Sequence, residues 1–383
     1  MHNPDYVPVN NFVQVQFGER FLPINEQPKL GNLIQSKIEN REYFYGIELS
    51  ARSNSTLDYR KFAVLPLFTS LVWFGEYSGI QPIDDVDAVR FGSSLIHNTV
   101  VMPHFTCYRA TPQRLKNFLS LNFTNVLALR GDLVDGDQDY KHASDLVTDI
   151  RKIRGDTISI GVGGYPQKHP QAKSMQDDLR YLTQKVDAGA DFIITQICFD
   201  ASSIIEFVGN CRKNGITVPI IVGVYVPENY RILLRMLQIT QVTVPSEQLE
   251  HYKKLRSNTT EFKQYAVEMA GKFITEVFES NVDVYGVQFF SMNYFEAIEE
   301  LVNNVIYKFN TKILQQHHQL MYTLREYIQI PQAPATAPPS SPATAAPPTT
   351  TKSEKKLSKY IKHQQQQQKQ KEHFNYVVSS LCR

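Results

Sequence analysis

Polar and charged side chains stand at the ends of several apolar segments of this 383-residue chain. The apolar run 126–129 ends in a cation, a glycine and a carboxylate, which are Arg130, Gly131 and Asp132. A strand that is covered on both faces shows continuous hydrophobicity, so the run predicts a buried parallel strand. Such groups at a strand end are costly for packing and useful for chemistry. In a barrel of parallel strands, the active site lies at this end.

The same pattern recurs at other predicted strand ends, where Glu48, His104, Tyr165 and Gln196 stand. In a closed barrel these positions face one another across a mouth, and a few converging polar groups on an apolar wall would form a ligand site. Each residue also has a structural interpretation. Glu48 could pair with an arginine, His104 could bond to backbone in the core, Gln196 could satisfy a loop, and Asp132 could cap a turn. Their shared position favours a site but names no reaction.

The elements that would position these residues alternate along the chain. Strands are predicted at 43–49, 68–74, 100–105, 124–129, 157–162, 192–196, 218–225 and 284–290. Helices are predicted at 84–97, 111–121, 142–153, 174–188, 202–214, 228–237, 259–280 and 294–309, after a lead-in helix at 30–39. Eight strand–helix units over roughly 270 residues favour the α/β class and a (β/α)8 TIM barrel. The alternation by itself leaves an open doubly wound sheet as the alternative.

Composition divides the chain into four parts. Residues 1–25 are polar and irregular and form a predicted N-terminal extension, followed by the barrel at 26–310 and a terminal helical segment at 311–330. From 331 the chain is rich first in Pro, Ala and Thr and later in Lys and Gln. Such a composition cannot bury a core, so we predict a disordered tail over 331–383.

Charge and cysteine content argue against some classes of function. The formal net charge of +2 gives no global electrostatic case for a nucleic-acid or membrane partner. The four cysteines lack metal-like spacing, which favours reduced thiols, and we expect no metal site. The chain begins without an apolar signal-peptide region, and no apolar run is long enough to span a membrane. We therefore expect a cytoplasmic location.

With these residues in place, the chain resembles the catalytic domain of the methylenetetrahydrofolate reductase family over about residues 26–306. The segments that carry the resemblance are GIE (46–48), MPHFTC (102–107), LALRGD (127–132), GYPQKHP (164–170), KVDAGAD (185–191), ITQ (194–196) and FFSMN (289–293). Family members are (β/α)8 flavoproteins in which NADH or NADPH reduces FAD, and the reduced flavin converts 5,10-methylenetetrahydrofolate to 5-methyltetrahydrofolate. The resemblance implies this oxidoreductase activity of one-carbon metabolism, and a homodimer or homotetramer. Animal members continue into a regulatory domain, for which the tail offers no counterpart.

The resemblance also implies roles for single residues. Glu48 would be the general acid that protonates the folate, and a carboxyl in an apolar mouth should hold its proton near neutral pH. Asp132 and Gln196 would hydrogen-bond the pterin, and Tyr294 would also lie at the substrate. The implied cofactor-binding positions are Trp73, His104, Leu129, Arg130, Gly131, Asp132, His142, Ala143, Tyr165, His169, Asp178 and Lys185.

Several positions depart from the family pattern. They are Val72 for threonine, His142 for tyrosine, Ile232 for glutamine, Met236 for phenylalanine and Tyr294 for arginine. The lost arginine removes a cation from the folate side, and one charge-assisted contact is worth about 1.5–3 kcal/mol. One alternative hypothesis is therefore a flavin-binding barrel with lost or altered folate turnover and a binding or regulatory role. A second is an interaction protein whose function lies in the tail.

Overall fold

Ten strands are present in the computed structural model, which describes residues 11–74, 81–131, 138–312 and 315. In chain order they are β1 (Gln14–Gln16), β2 (Phe44–Leu49), β3 (Thr56–Asp58), β4 (Phe68–Leu71), β5 (Val101–Thr106), β6 (Asn125–Leu129), β7 (Ser159–Gly164), β8 (Phe192–Ile197), β9 (Ile220–Val224) and β10 (Gly286–Phe290). Eight of them form a closed parallel barrel in the order β10-β2-β4-β5-β6-β7-β8-β9. The (β/α)8 prediction is confirmed, and the open doubly wound sheet is excluded.

Helices surround the barrel in the alternation that the sequence predicts. The described α-helices are α1 (Leu30–Glu39), α2 (Asp87–Leu95), α3 (Pro112–Leu119), α4 (Ala143–Arg154), α5 (Met175–Asp187), α6 (Ala201–Lys213), α7 (Tyr230–Thr240), α8 (Ser246–Lys254), α9 (Thr259–Glu279) and α10 (Glu296–Leu301). The predicted single helix at 294–309 is interrupted, because α10 leads into a π-helical turn at Val302–Ile306. The sequence analysis missed α8, whose buried residues, Gln248 and Tyr252, give no apolar stripe.

The N-terminal segment contains regular structure that the sequence analysis did not predict. Strand β1 pairs in parallel with β3, with Gln14 opposite Thr56, in a separate two-stranded sheet. Val13 is buried, and the ring of Phe17 stacks on that of Tyr59 at 5.9 Å. The expectation of an irregular segment is wrong here, because a three-residue strand is too short to show alternation.

Side chains of the barrel strands alternate between two apolar layers. One layer fills the barrel interior and includes Phe44, Phe68, Met102, Leu127, Phe192 and Ile221. The other packs outward against the helices and includes Tyr45, Ile47, Leu71, Phe105, Val126 and Val222. Because both faces of each strand are covered, the strands have the continuous apolar sequences from which they were predicted.

Helix α1 closes the amino-terminal end of the barrel. Its residues Leu30 and Ile34 are fully buried in the interior cluster. The Leu30 N–H donates to Asn125 Oδ1 at 2.6 Å, and the Gly31 N–H donates to Ser159 Oγ at 3.0 Å. First-turn N–H groups have no partner within their own helix, so side chains on β6 and β7 supply one. The barrel is therefore accessible to ligands from the carboxyl end.

Within the described residues, no helix has the length and apolar character needed to cross a membrane. Cys107, Cys198 and Cys211 are buried free thiols, in agreement with the predicted reduced state. Cys382 and the predicted tail at 331–383 lie outside the described residues, as does most of the segment 311–330.

Candidate active site

Glu48 and His104 meet at the carboxyl end of the barrel. Strand register places Glu48 opposite Ser70 of β4 on one side and Phe290 of β10 on the other. His104 comes from β5, and its Nε2 lies 3.7 Å from Oε2 of Glu48. Both side chains are buried. The structure thus brings together two of the predicted site residues.

Burial makes this pair electrically neutral. Loss of solvation raises the pKa of Glu48 to about 8 and lowers the pKa of His104 to about 3. Because burial opposes both charged forms, the carboxyl group is protonated and the imidazole is neutral at pH 7. The 3.7 Å separation is too long for a hydrogen bond. Glu48 is not paired with an arginine in the described part of the chain, so that structural interpretation is not supported.

Three polar residues fasten β10 to β2 beside Glu48, and we call Ser50, Ser291 and Asn293 the seam staple. The Asn293 side chain donates to Ser50 O at 3.0 Å and accepts from Ser50 N at 3.1 Å. The Ser291 hydroxyl donates to the backbone oxygen of Glu48 and accepts from Asn293 N at 3.0 Å. Asn293 has a φ of +62°, which asparagine tolerates better than most residues. The staple fixes the backbone at Glu48 and Ser50.

A cleft of about 230 Å³ lies at the ends of β6 and β7, beside α4 and α5. Most predicted cofactor positions line it, namely Leu129, Arg130, His142, Ala143, Tyr165, His169, Asp178 and Lys185. Further lining residues were not predicted and include Ser144, Gln171, Tyr181 and Gln184. Of these, Tyr181 stands three residues after Asp178 and four before Lys185, and this helical spacing was an available signal.

Two cations belong to the cleft. Lys185 Nζ donates to Gly163 O at 2.5 Å, and burial lowers the pKa of Lys185 to about 8, against the opposing effect of Asp178. Arg130 Nη1 donates to Gln171 Oε1 at 2.5 Å. An ammonium and a guanidinium in one cleft suit an anionic group such as a pyrophosphate.

The loop after β7 is held on α5 through His169. Its backbone N–H donates to Asp178 Oδ2 at 2.9 Å, and its Nδ1 accepts from Gln171 N at 3.1 Å. The ring of Tyr165 contacts the His169 ring edge-on, with centroids 4.5 Å apart. Three predicted positions, Tyr165, His169 and Asp178, thus form one connected wall of the cleft, which Lys185 also lines.

The end of β6 is shaped for close backbone approach. Gly131 has a φ of +82°, and a Cβ there would lie 3.2 Å from Cβ of Thr106. The buried atoms Thr106 Oγ1 and His104 Nε2 find no hydrogen-bond partner among the described residues. Buried polar groups are normally paired, so these atoms fit contacts to a polar ligand. Asp132 lies outside the described residues, and its predicted role remains a prediction.

The opposite half of the mouth is mainly apolar. Gln196 is half-buried, and its Oε1 accepts from Ile197 N at 2.9 Å, where the register between β8 and β9 shifts. Beside it lies a cluster of Ile197, Tyr225 and Met236, with Phe199, Ile232, Val242 and Phe290 packed against it. The buried Tyr225 hydroxyl finds no partner in the described structure, and burial raises the pKa of Tyr225. Tyr294 is 45% exposed.

Trp73, another predicted cofactor position, belongs to the apolar layer between the strands and the helices. Its ring packs at 5.2 Å from Phe105 and 5.9 Å from Phe118, between the strands and the helices. It does not line the cleft. Its aromatic type therefore has a packing explanation, and contact with a cofactor stays a prediction.

Sequence comparisons agree with this architecture. The family profile described as methylenetetrahydrofolate reductase matches residues 85–306. The chain is 31% identical over 253 residues to the probable methylenetetrahydrofolate reductase (NADPH) of Caenorhabditis elegans, covering 62% of this chain and 37% of that protein. It is 39% identical over 149 residues to the 5,10-methylenetetrahydrofolate reductase of Escherichia coli K12, covering 38% of this chain and 50% of that protein.

A plant relative gives the same result. The probable methylenetetrahydrofolate reductase (NADH) of Oryza sativa is 34% identical over 201 residues, covering 47% of this chain and 34% of that protein. The chain spans between a third and a half of the length of these relatives. The profile match extends over more than half of the chain and includes the cleft. The chain belongs to the methylenetetrahydrofolate reductase family.

Proposed function

We propose that this barrel reduces 5,10-methylenetetrahydrofolate to 5-methyltetrahydrofolate through a bound FAD, with NADH or NADPH as the electron donor. The observation that carries the proposal is the protonated, buried Glu48 at the mouth of a barrel whose neighbouring cleft holds two cations. Membership of the family supports folate reduction. The names of relatives specify NADPH for one and NADH for another.

The residues of the cleft fit a dinucleotide flavin. Arg130 and Lys185 would hold the pyrophosphate, and the backbone at Gly131 permits close approach of a flat ring. The partnerless Thr106 Oγ1 and His104 Nε2 would gain hydrogen-bond partners. When bound, FAD supplies hydride transfer, which no side chain of this protein can perform.

Glu48 would act as the general acid. Its pKa of about 8 keeps a proton on the carboxyl group at neutral pH, and that proton can pass to a ring nitrogen of the folate. Protonation opens the bridging ring and makes the one-carbon unit electrophilic. The neutral His104 carries no charge to stabilise the resulting carboxylate. Glu48 should therefore take up a new proton before the next turnover. The seam staple holds the acid in place.

The half of the mouth formed by β8, β9 and β10 would receive the folate. The side chains of Ile197, Met236 and Phe290 offer an apolar surface for flat rings, and the amide of Gln196 offers a donor and an acceptor. Tyr294, which stands where family members usually have arginine, offers a phenol at the rim. We therefore expect the negatively charged end of the folate to bind more weakly than in those members.

Anaerobic stopped-flow absorbance tests the proposal in two half-reactions. NADH or NADPH should bleach the flavin, and 5,10-methylenetetrahydrofolate should then reoxidise it. Glu48→Gln should leave the first half-reaction intact and stop the second. A colourless protein that takes up no added FAD would refute the proposal.

The alternative is a flavin-binding barrel with lost or altered folate turnover, favoured by the apolar Ile232 and Met236 and by Tyr294. Both functions predict a yellow protein. They differ in the second half-reaction, because in the alternative the reduced flavin would persist after the folate is added. A chain that ends at residue 330 should keep both half-reactions, whereas a function of the tail would be lost with it.

A further inference from the structure

A buried amide lies beneath the proposed acid and was not needed for the chemistry above. Gln288 of β10 is 1% exposed and lies inside the barrel beside the interior ring of Phe68. Its Nε2 donates to Ser70 Oγ at 2.6 Å. Its Oε1 is buried and finds no donor among the described residues. Buried acceptors are normally paired, so this oxygen calls for a partner that can donate a proton to it.

Gly46 makes room for this amide. Strand register sets Gly46 of β2 opposite Gln288 of β10. A Cβ on Gly46 would overlap both Gln288 Oε1 and the ring of Phe68. The Gln288 side chain therefore crosses β2 at the position where Gly46 has no side chain, and its nitrogen reaches Ser70 on β4.

The crossing brings the amide up to the level of Glu48. Residues two apart on a strand share a face and lie about 6.6 Å apart along it, so Glu48 points to the same side of β2 as a side chain on Gly46 would. Ser70, which binds the Gln288 nitrogen, is the residue opposite Glu48 in the register of β4. The amide thus forms a floor under the Glu48 carboxyl group, and rotation of the glutamate side chain closes the remaining distance.

The carboxyl group and the amide oxygen complement each other. Burial keeps Glu48 protonated, so its carboxyl group has one O–H to donate. That side chain makes no hydrogen bond within the described part of the chain, since His104 Nε2 at 3.7 Å is too distant. The neighbouring strands β4 and β10 present the uncharged Ser70 and Phe290, and His104 from β5 is neutral. An O–H that lacks an acceptor therefore lies next to an acceptor that lacks a donor.

We propose that Gln288 is a positioning residue for Glu48, whose acidic proton its side-chain oxygen accepts while the substrate is absent. This inference rests on the proposed role of Glu48 as the general acid. The bond from Gln288 to Ser70 aims the amide. A hydrogen bond to the protonated form favours that form, so the floor keeps Glu48 protonated to a higher pH. When the substrate binds, the carboxyl group turns from the floor to the ring nitrogen.

Carbon-13 NMR of the Glu48 carboxyl group tests the proposal without turnover. Its signal is assigned by its loss in Glu48→Gln, and it is followed from pH 5 to 10 in the full chain as purified. The wild-type midpoint should lie near 8. Gln288→Met keeps the volume and removes the acceptor, and it should lower the midpoint by about half to one pH unit, which corresponds to one hydrogen bond. Ser70→Ala frees the amide to turn and should lower the midpoint less.

Gln248→Met is the matched control. Gln248 is also a buried glutamine whose Nε2 faces a hydroxyl group, that of Tyr252 at 3.5 Å, but it lies on α8 and not on a barrel strand. The same change of side chain should therefore leave the Glu48 midpoint where it is in the wild type.

Single turnovers should show the same shift. Reoxidation of the reduced flavin by 5,10-methylenetetrahydrofolate needs protonated Glu48, so its rate should fall as pH rises through the midpoint. In Gln288→Met this fall should come about half to one pH unit lower, while flavin reduction by NADH or NADPH keeps the wild-type rate. A glutamine that only packs would change the stability and leave both midpoints in place.

Three results would overturn the proposal in different ways. Equal midpoints in wild type and Gln288→Met show that the amide does not hold the proton, while Glu48 remains the acid. A higher midpoint in the variant shows that the amide nitrogen faces the carboxyl group, because a donor favours the charged form. A wild-type midpoint near the ordinary 4.5 removes the acid and with it the proposed mechanism. If Gln288→Met does not fold, the sign of the shift in Ser70→Ala decides.

Discussion

Replacement of Glu48 by glutamine should change how the stability of the protein depends on pH. The folded-state pKa of Glu48 is about 8, against an ordinary value of 4.5. Below pH 4.5 the carboxyl group is protonated in both the folded and the unfolded chain. Between pH 4.5 and 8 the unfolded chain releases the proton and the folded chain keeps it, so the free energy of unfolding falls as pH rises. Glutamine has the same shape and does not titrate.

The size of the effect follows from the same values. One pH unit corresponds to about 1.4 kcal/mol. From pH 5 to pH 7 the free energy of unfolding should fall by about 3 kcal/mol more in the wild type than in Glu48→Gln. This order-of-magnitude value is the same for any folded-state pKa of Glu48 above pH 7. The variant should therefore be more stable than the wild type at pH 7 while its second half-reaction is at least about 100-fold slower.

Urea unfolding of both proteins at pH 5, 6 and 7, monitored by circular dichroism, measures this difference. Glu228→Gln is the matched control. Glu228 is also buried but lies 2.5 Å from Lys263 Nζ, so its replacement removes an ion pair and leaves Glu48 and its contribution in place. If wild type and Glu48→Gln show the same dependence on pH, the carboxyl group is not held protonated and the proposed acid is wrong.

Three further substitutions test the supports of the site. Lys185→Met should weaken FAD binding about tenfold at pH 7 and make the affinity independent of pH. The reason is that the wild-type lysine loses its charge, and with it the attraction for phosphate, above its pKa of about 8. FAD titrations from pH 7 to 9 measure this, and a variant that kept the wild-type pH dependence would contradict it. Asn293→Ala should lower the free energy of unfolding by about 1–3 kcal/mol, because it removes two hydrogen bonds to Ser50 and places alanine in a left-handed backbone conformation. A change below about 0.5 kcal/mol in urea unfolding would show that the seam staple does not stabilise the contact between β2 and β10. Gly131→Ala should cost about 1–2 kcal/mol and weaken FAD, because of its φ of +82° and the contact with Thr106. Its control is Gly209→Ala in α6, where a Cβ has open space, and equal effects of the two would refute the conformational argument.

The barrel could be predicted because each strand is covered on both faces. Segments such as 126–129 have continuous apolar sequences, and the helices between them carry the 3.6-residue period. The elements that were missed lack these signals. Strands β1 and β3 have three residues each, and α8 buries Gln248 and Tyr252 rather than an apolar stripe.

The candidate site was predictable in its residue types and not in its contacts. Glu48 and Arg130 were found from their positions at predicted strand ends, and Lys185 from the family resemblance. The near-parallel arrangement of the Tyr181 and His142 rings depends on how α4 and α5 pack, which local sequence does not determine. The neutral state of Glu48 depends on neighbours from β4, β5 and β10, and distant segments of the chain supply these.

The join between β2 and β10 has a consequence for how the protein matures. Glu48 leaves the ribosome early, whereas Phe290 and Asn293, more than 240 residues later, are needed to enclose and fix it. A nascent chain that has not yet made β10 leaves this carboxyl in water, where it is an ordinary, weakly basic carboxylate near neutral pH. The raised pKa of Glu48 therefore arises only when the last barrel strand is in place, and the proposed proton donor is completed at the end of folding.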